Sequence, residues 1–261
     1  MPELVEVERY RALAECALGR TIVSVHSPDP WFLKGAAAAP VLSGILVGNR
    51  FAGTRRIGKL LLLEVDDGPV VGVRFGMTGT LLVDGGDAVG QLLYSSARRD
   101  PAWDRWAVTF ADGGRLVVHD PRRLGGVSLD PDLSGLGPDA GTIGPAALGT
   151  VVSGSSVPLK ARLLDQARIA GIGNLIADEV LWRAGLSPVR PAGSLSPAEV
   201  RRLHRHLVRT LSDLADRGGS HLGDLMPERH TAGVCPKDGT PLVRTTVGGR
   251  TSWWCPTHQV G

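Results

Sequence analysis

The chain has 261 residues, a hydrophobic content of 43% and a formal net charge of +3. This length is enough for two compact domains, and the sequence has neither an apolar run of membrane-spanning length nor the apolar core of a signal peptide, so we expect a cytoplasmic protein. Three cysteines exclude a disulfide framework, and an aromatic content of 5% argues against a protein that binds single strands by base stacking.

The first residues predict a helix that begins beside a secondary amine. Leu4 and Val7 lie on one apolar stripe at helical spacing, whereas Glu6 lies off it. Proline is tolerated at the start of a helix. If Met1 is removed, the amine of Pro2 lies at the positive end of the helix dipole, which disfavours its protonation and favours nucleophilic attack near pH 7. The alternative is an ordinary surface helix with a conventional cap.

Residues 21–127 are predicted to be rich in β-strands. Short apolar runs bounded by Gly, Pro and Asp occupy residues 21–25, 44–48, 60–65, 70–75, 80–83, 106–110 and 115–119. Short strands separated by turn residues at regular intervals predict a sandwich or a barrel.

The following residues predict a linker and then helices. Residues 125–158 are poor in charge and rich in Gly, Ser and Pro, which is typical of a connection between domains, with a short helix near residues 146–148. The pattern is helical from residue 159 to about residue 215. Ser196 is predicted to cap one of these helices, because Glu199 stands at the third helical position. The last residues, 235–261, predict a hairpin.

Two features are suited to binding phosphate. In the turn at residues 171–174, glycines allow close backbone approach, the next helix presents free N–H groups, and Asn174 adds a side-chain donor. Lys59 closes a basic run just before the apolar strand at residues 60–65. Such turns are also common packing devices, and a basic residue at the start of a strand is often only solvated.

Two further turns carry side chains suited to entering a base stack. The turn at residues 120–125 carries Arg122 and Leu124, and the turn at residues 75–79 places Met77 between glycines. Side chains of these types wedge between base pairs in proteins that kink DNA. The alternative is a pair of ordinary turns.

Two short motifs near the C-terminus predict a zinc site, because each has the ligand spacing of a zinc-binding knuckle. The four residues concerned are Cys235, Asp238, Cys255 and His258. A carboxylate is a harder donor than a thiolate, so Asp238 and His230 are alternative candidates for the fourth ligand. The competing interpretation is a metal-free hairpin held together by Trp253, Trp254 and Val243.

In their order along the chain, these motifs resemble the formamidopyrimidine-DNA glycosylase/endonuclease VIII family of base-excision repair enzymes. The resemblance covers nearly the whole chain and rests on residues 2–8, 58–63, 76–79, 120–125, 159–179 and the C-terminal hairpin. It implies an α+β multidomain fold. An N-terminal helix and a β-sandwich would occupy residues 1–130, a helical helix–two-turn–helix domain residues 131–229, and a zinc-finger β-hairpin residues 230–261.

The resemblance also implies a bifunctional DNA glycosylase and abasic-site lyase that forms a Schiff base through Pro2 and cleaves by β,δ-elimination. Glu3 would act as general acid/base, Glu6 would support the pocket, and Lys59 would hold a phosphate and pass a proton. The implied DNA contacts come from six residues: Met77, Arg122, Leu124, Lys160, Asn174 and Arg250. A structural Zn²⁺ would be bound by Cys235, Asp238, Cys255 and His258.

The implied partner is double-stranded DNA with a damaged base or an abasic site, bound by a monomer associated with the nucleoid. The alternative is a non-catalytic DNA-binding protein on the same scaffold. The presence of Pro2, Glu3 and Lys59 together favours the enzyme.

Three departures from the family pattern are expected to matter to different degrees. Val5 stands where proline is usual, and a helix tolerates that change. Asp238 and His258 stand where cysteines are usual. Residues 224–234 form a shorter segment than in members that excise 8-oxoguanine, which leaves the base pocket more open. We therefore expect 8-oxoguanine not to be the preferred substrate, and oxidised pyrimidines, ring-opened purines or bulkier adducts to be more suitable.

Overall fold

The protein is described here by a computed structural model, which covers residues 2–35, 37–90, 92 and 98–260. It consists of two compact units, Met1–Leu133 and Ser134–Gly261. Within the described ranges, no helix combines the length and the apolar character needed to cross a membrane.

In its described residues the first unit contains two α-helices and two five-stranded sheets. The helices are α1 (Leu4–Ala14) and α2 (Ala39–Leu46). The strands are β1 (Ile22–His26), β2 (Leu33–Lys34), β3 (Phe51–Ile57), β4 (Leu60–Val65), β5 (Val70–Arg74), β6 (Thr80–Val83), β7 (Gly86–Asp87), β8 (Asp104–Phe110), β9 (Arg115–His119) and β10 (Gly126–Leu129). One sheet has the order β1-β8-β9-β6-β7 and the other the order β2-β10-β5-β4-β3. Only the β10–β2 pair is parallel among the described strands.

Both sheets contribute to one apolar core, which confirms the predicted sandwich. The core includes Trp106 and Val108 from the first sheet and Leu61 and Val73 from the second. Helix α1 packs against β3, β4 and β6.

The prediction of a strand at residues 44–48 is wrong, because these residues form the end of helix α2 and the turn that follows it. Leu42 and Leu46 are both buried, because residues four positions apart lie on the same face of a helix. Strand β3 was not predicted. It is an edge strand, and its polar residues Thr54, Arg55 and Arg56 interrupt the apolar pattern that the prediction relied on.

The second unit is helical and ends in a hairpin. Its helices are α3 (Pro145–Val152), α4 (Leu159–Leu164), α5 (Asn174–Ala184) and α6 (Pro197–Arg217), and its strands are β11 (Val243–Val247) and β12 (Arg250–Trp254). The predicted short helix and the Ser196 cap are confirmed, and Ser196 and Glu199 form a reciprocal capping box. An apolar cluster, which includes Trp182 of α5 and Trp253 of β12, holds the hairpin against α5.

Candidate functional site

Pro2 lies buried next to a small cavity in the first unit. The cavity has a volume of about 180 Å³ and is lined by Pro2, Lys59, Arg74, Phe75, Gly76 and Leu124. The amine, the basic turn and the two loops are separate features in the local sequence patterns, and only the family resemblance implied that they share a site. The structure brings all of them together around this cavity.

Two buried carboxylates follow Pro2 closely in the chain. Glu3 and Glu6 are each only 1% exposed, although the apolar pattern placed Glu6 off the buried face. The backbone N–H of Glu3 donates to Glu6 Oε2 at 2.8 Å, and the two residues form the capping box of α1. This arrangement holds both carboxylates against the start of the helix, beside the residue with the proposed reactive amine.

Lys59 occupies the tight turn between β3 and β4. Ile57 pairs with Leu60, so Gly58 and Lys59 form a two-residue loop, and Gly58 takes a φ of +55° that favours glycine. The Arg56 guanidinium donates to the carbonyl oxygen of Gly58 at 3.0 Å and therefore anchors this turn.

Arg74 is a cavity residue that sequence reasoning missed. It ends β5 and pairs with Leu60, the residue after Lys59, so both cationic side chains line the cavity. A weak signal was available, because Arg74 is the one charged residue in the apolar run at residues 70–75. Arg74 and Lys59 line the same cavity because of the register between β5 and β4, which the sequence of the run alone does not specify.

The loop at residues 120–125 presents two of the predicted DNA-contacting residues. Arg122 is exposed, and Leu124 is 51% exposed, which is unusual for a leucine that also borders a cavity. Between them Arg123 has a φ of +58° and donates to both carboxylate oxygens of Asp29 at 2.6 and 2.7 Å. Hydrogen bonds from Arg123 hold the pKa of Asp29 below its usual range. Met77, in the other loop, is half-buried.

In the second unit, one side chain makes hydrogen bonds to the Gly-rich turn between α4 and α5. Gln166 donates to the Ile172 carbonyl oxygen at 2.9 Å and accepts from the Gly171 N–H at 3.0 Å. Asn174 is the first residue of α5, and its side-chain Oδ1 is buried without a hydrogen-bond partner among the described residues. The turn therefore presents the positive end of α5, which suits an anionic ligand.

Arg250 stands at the tip of the hairpin. The two-residue loop Gly248-Gly249 has φ values of +58° and +70°, as the type I′ turn of a hairpin requires. Arg250 follows this turn at the start of β12, and its side chain is exposed.

The prediction that Lys160 contacts DNA is corrected here, because its side chain is not accessible to DNA. Its side chain is completely buried, and Nζ lies 2.7 Å from Asp178 Oδ1. The same ammonium donates to the Thr251 carbonyl oxygen at 3.0 Å and to Ser252 Oγ at 2.7 Å. Asp178 also pairs with Arg229. Lys160 therefore joins α4, α5 and the hairpin inside the second unit.

Three of the predicted metal ligands come together. Possible ligand atoms of Cys235, Asp238 and Cys255 all lie within 4.8 Å of one another. The sulfurs accept N–H hydrogen bonds, from Trp182 Nε1 to Cys235 Sγ at 3.4 Å and from the His258 backbone to Cys255 Sγ at 3.2 Å. Two thiols and a carboxylate with N–H donors around the sulfurs fit a zinc site, because such donors stabilise thiolates.

The two histidine candidates are not in this group of described residues. The ring Nε2 of His258 lies 2.8 Å from the Trp182 carbonyl oxygen and 2.9 Å from Lys237 Nζ. His230 Nδ1 accepts from the Ala232 backbone N–H at 3.3 Å. In this structure His258 contributes to the cluster through its backbone N–H.

The segment at residues 224–234 is tied to helix α5. The backbone N–H groups of Asp224 and Leu225 each donate to Glu179 at 3.0 Å, and Arg229 pairs with Asp178. Glu179 and Asp178 are both buried. Residues 224, 225 and 229 of the segment are therefore bonded to helix α5.

Comparisons with known proteins agree with this architecture. The model of the formamidopyrimidine-DNA glycosylase N-terminal domain matches residues 1–127, and the model of the formamidopyrimidine-DNA glycosylase H2TH domain matches residues 135–224. A formamidopyrimidine-DNA glycosylase of Thermus thermophilus is 36% identical over 286 aligned positions, which cover 99% of this chain and 98% of the relative.

Two solved structures are similar over the whole length of both chains. A complex between the LlFpg protein, a THF-DNA and an inhibitor has a TM-score of 0.84 and 26% identity, with 100% of each chain covered. A complex between wild-type Lactococcus lactis Fpg and DNA containing an oxidized pyrimidine has a TM-score of 0.83 and 25% identity, again with 100% of each chain covered. The chain therefore belongs to the formamidopyrimidine-DNA glycosylase/endonuclease VIII family.

Proposed function

We propose that this protein is a bifunctional DNA glycosylase and abasic-site lyase whose nucleophile is the secondary amine of Pro2, once Met1 has been removed. One observation carries the proposal: Pro2 lines the same cavity as Lys59 and as the loops that bear Met77 and Leu124. Two cationic side chains beside an amine disfavour its protonation and so favour the nucleophilic form.

The first chemical stage replaces the base by the amine. The Pro2 nitrogen attacks C1′ of the flipped nucleotide, the bond from C1′ to the base breaks, and the base leaves with a proton. Loss of the ammonium proton restores the nitrogen lone pair, which then expels O4′ and leaves an iminium between Pro2 and C1′. Glu3 donates the proton that O4′ needs, and Glu6 holds Glu3 through its backbone N–H.

The second stage cleaves the strand. Removal of a proton from C2′ converts the iminium into an enamine, which expels the 3′-phosphate. Loss of a proton from C4′ then expels the 5′-phosphate, and water hydrolyses the remaining imine to free Pro2. Glu3 and Lys59 are the groups at this cavity that we assign to these proton transfers.

DNA binding is assigned to cationic and polar groups of both units. On the first unit, Lys59 and Arg74 bind phosphates, and Met77, Arg122 and Leu124 fill the gap left by the flipped nucleotide. On the second unit, Asn174 and Arg250 bind phosphates. Contacts of this kind carry affinity but no sequence information.

A structural zinc ion is assigned to Cys235, Asp238 and Cys255, with His258 as the proposed fourth ligand. When bound, the ion would cross-link the two knuckles, and it would take no part in the reaction at Pro2. Cys235 and Cys255 also belong to the apolar cluster that holds the hairpin carrying Arg250. Metal binding and DNA affinity are therefore expected to fall together.

The decisive experiment is borohydride trapping on duplex DNA that contains an abasic site. Wild-type protein is expected to give a covalent adduct that maps to the N-terminal peptide. The adduct should be lost when extra residues precede Pro2 and strongly reduced in Pro2→Gly. Binding of the same duplex without any adduct would instead support the non-catalytic DNA-binding protein.

The preferred lesion is proposed from the short segment at residues 224–234. The segment has eleven residues and is bonded to Glu179 at its start, so we expect it to be too short to cover a flipped purine. In matched duplexes we expect faster excision of oxidised pyrimidines, ring-opened purines or bulky adducts than of 8-oxoguanine. Comparable rates for 8-oxoguanine and a ring-opened purine would contradict this selectivity and leave the chemistry at Pro2 unaffected.

A further inference from the structure

A buried hydrogen bond joins the two loops that border the Pro2 cavity. Thr78 is 1% exposed and Asp120 is completely buried, and Thr78 Oγ1 donates to Asp120 Oδ1 at 2.7 Å. The two residues are 42 positions apart in the chain. One belongs to the loop that carries Met77 and the other begins the loop that carries Arg122.

The same carboxylate also organises its own loop. Asp120 accepts from the Arg122 backbone N–H at 3.2 Å and from the Gly125 backbone N–H at 2.8 Å. Its backbone carbonyl oxygen accepts from Arg105 Nε at 2.8 Å. Each carboxylate oxygen thus has at least one donor, which is what a buried charge needs.

The loops also touch backbone to backbone. A Cβ atom placed on Gly76 would lie 2.4 Å from the Leu124 carbonyl carbon and 2.6 Å from the Gly125 nitrogen. Gly76 has a φ of +58°, so both space and conformation require glycine there. The two loops therefore have no room to slide past one another without breaking the Thr78–Asp120 bond.

We propose that Thr78 and Asp120 are positioning residues that couple the two loops, so that Met77 and Arg122 enter the DNA stack together. This inference rests on the proposed function. Two independent loops would each lose conformational freedom on insertion, whereas a joined pair is already ordered before DNA arrives. Removing the bond should therefore make the two side chains act independently.

The test is a double-mutant cycle of Met77→Ala and Arg122→Ala in three backgrounds: Thr78, Thr78→Val and Thr78→Ser. The readout is the affinity ratio between a duplex with a stable abasic analogue and the intact duplex. In the Thr78 background we expect the affinity ratio of the double variant to differ by about fivefold or more from the value that the two single variants predict. In the Thr78→Val background this difference should be less than about twofold. Thr78→Ser keeps the hydroxyl and should restore the coupling.

A merely structural role would not produce this pattern, because loss of stability is common to all corners of a cycle and cancels. Additive effects with Thr78, or coupling in the Thr78→Val background equal to that with Thr78, would overturn the inference. Equal affinity of the unmodified protein for abasic and intact duplexes would instead count against the proposed function.

Discussion

Arg56 connects the turn that carries Lys59 to the helix that follows Pro2. Its Nε donates to Glu8 Oε2 of α1 at 2.9 Å, and its NH1 donates to the Gly58 carbonyl oxygen at 3.0 Å. The Arg56 side chain is only 9% exposed and the Glu8 side chain is 42% exposed, so the guanidinium is shielded from water while the carboxylate stays partly solvated. This contact orients the lysine turn relative to the proposed nucleophile.

We therefore predict that Glu8→Gln slows the reaction more than it weakens binding. Loss of the ion pair should let the Lys59 turn shift, and a misplaced group of this kind is expected to reduce kcat by about tenfold, with KM changed by less than about twofold. Single-turnover and steady-state rates on abasic DNA measure both constants. Glu15→Gln is the matched control, because Glu15 is exposed and pairs only with Arg11 among the described residues. A change confined to KM would contradict the assignment.

Lys160 and Arg250 should separate stability from DNA binding. Lys160→Met removes one partner of a buried ion pair, and we expect the free energy of unfolding to fall by about 3 kcal/mol with unchanged affinity per folded molecule. Arg250→Ala should leave the urea midpoint unchanged, weaken binding to all sequences alike and lower the salt slope by about one. If the Lys160→Met variant had normal stability and a reduced salt slope, this result would show that Lys160 contacts DNA after all.

Metal content should depend on the three clustered ligands. Cys235→Ser and Asp238→Ala are expected to lose zinc, measured in the purified protein, and to melt at lower temperature. His230→Ala should keep the metal. The proposed ligand set predicts the same loss in His258→Ala, and a full complement of zinc in that variant would restrict the set to the three clustered residues.

Acid should weaken the start of helix α6. Arg190 donates to both carboxylate oxygens of Glu199, at 2.6 and 3.0 Å, and these hydrogen bonds lower the pKa of Glu199 to about 2. A lowered pKa means that the contribution to stability is complete above the unfolded value of about 4.5 and is lost as the pH falls towards 2.

The corresponding variant is Glu199→Gln. Because the pair is partly exposed, we expect it to cost only about 1 kcal/mol at pH 7, and the difference from wild type should vanish near pH 2. Urea melts at several pH values measure this. Asp216→Asn, at an exposed position of the same helix, is the control and should change neither value. A deficit that stays constant down to pH 2 would exclude the ion pair as its cause.

Several features could be predicted from short stretches of sequence because their causes are local. The Ser196 cap and its Glu199 partner were predicted from their spacing along the chain, and the hairpin and its knuckles from theirs. The order of the motifs also indicated the family, which the comparisons confirm. Residues 44–48 were misassigned, because a short apolar run does not distinguish a buried helix from a strand. Strands β3 and β10 were missed, because β3 is largely polar and β10 lies in the Gly-rich stretch that was interpreted as a linker.

Other features depend on which residues meet across the fold. Glu6 and Lys160 look like solvated charges in the sequence, yet both are buried, because their partners stand on a neighbouring turn or on a distant strand. Arg74 joins the Pro2 cavity only through the register of β5 with β4. Thr78 and Asp120 meet only because two loops pack backbone to backbone. Local patterns specify caps and turns, whereas long-range packing decides which charges are buried and which groups share a site.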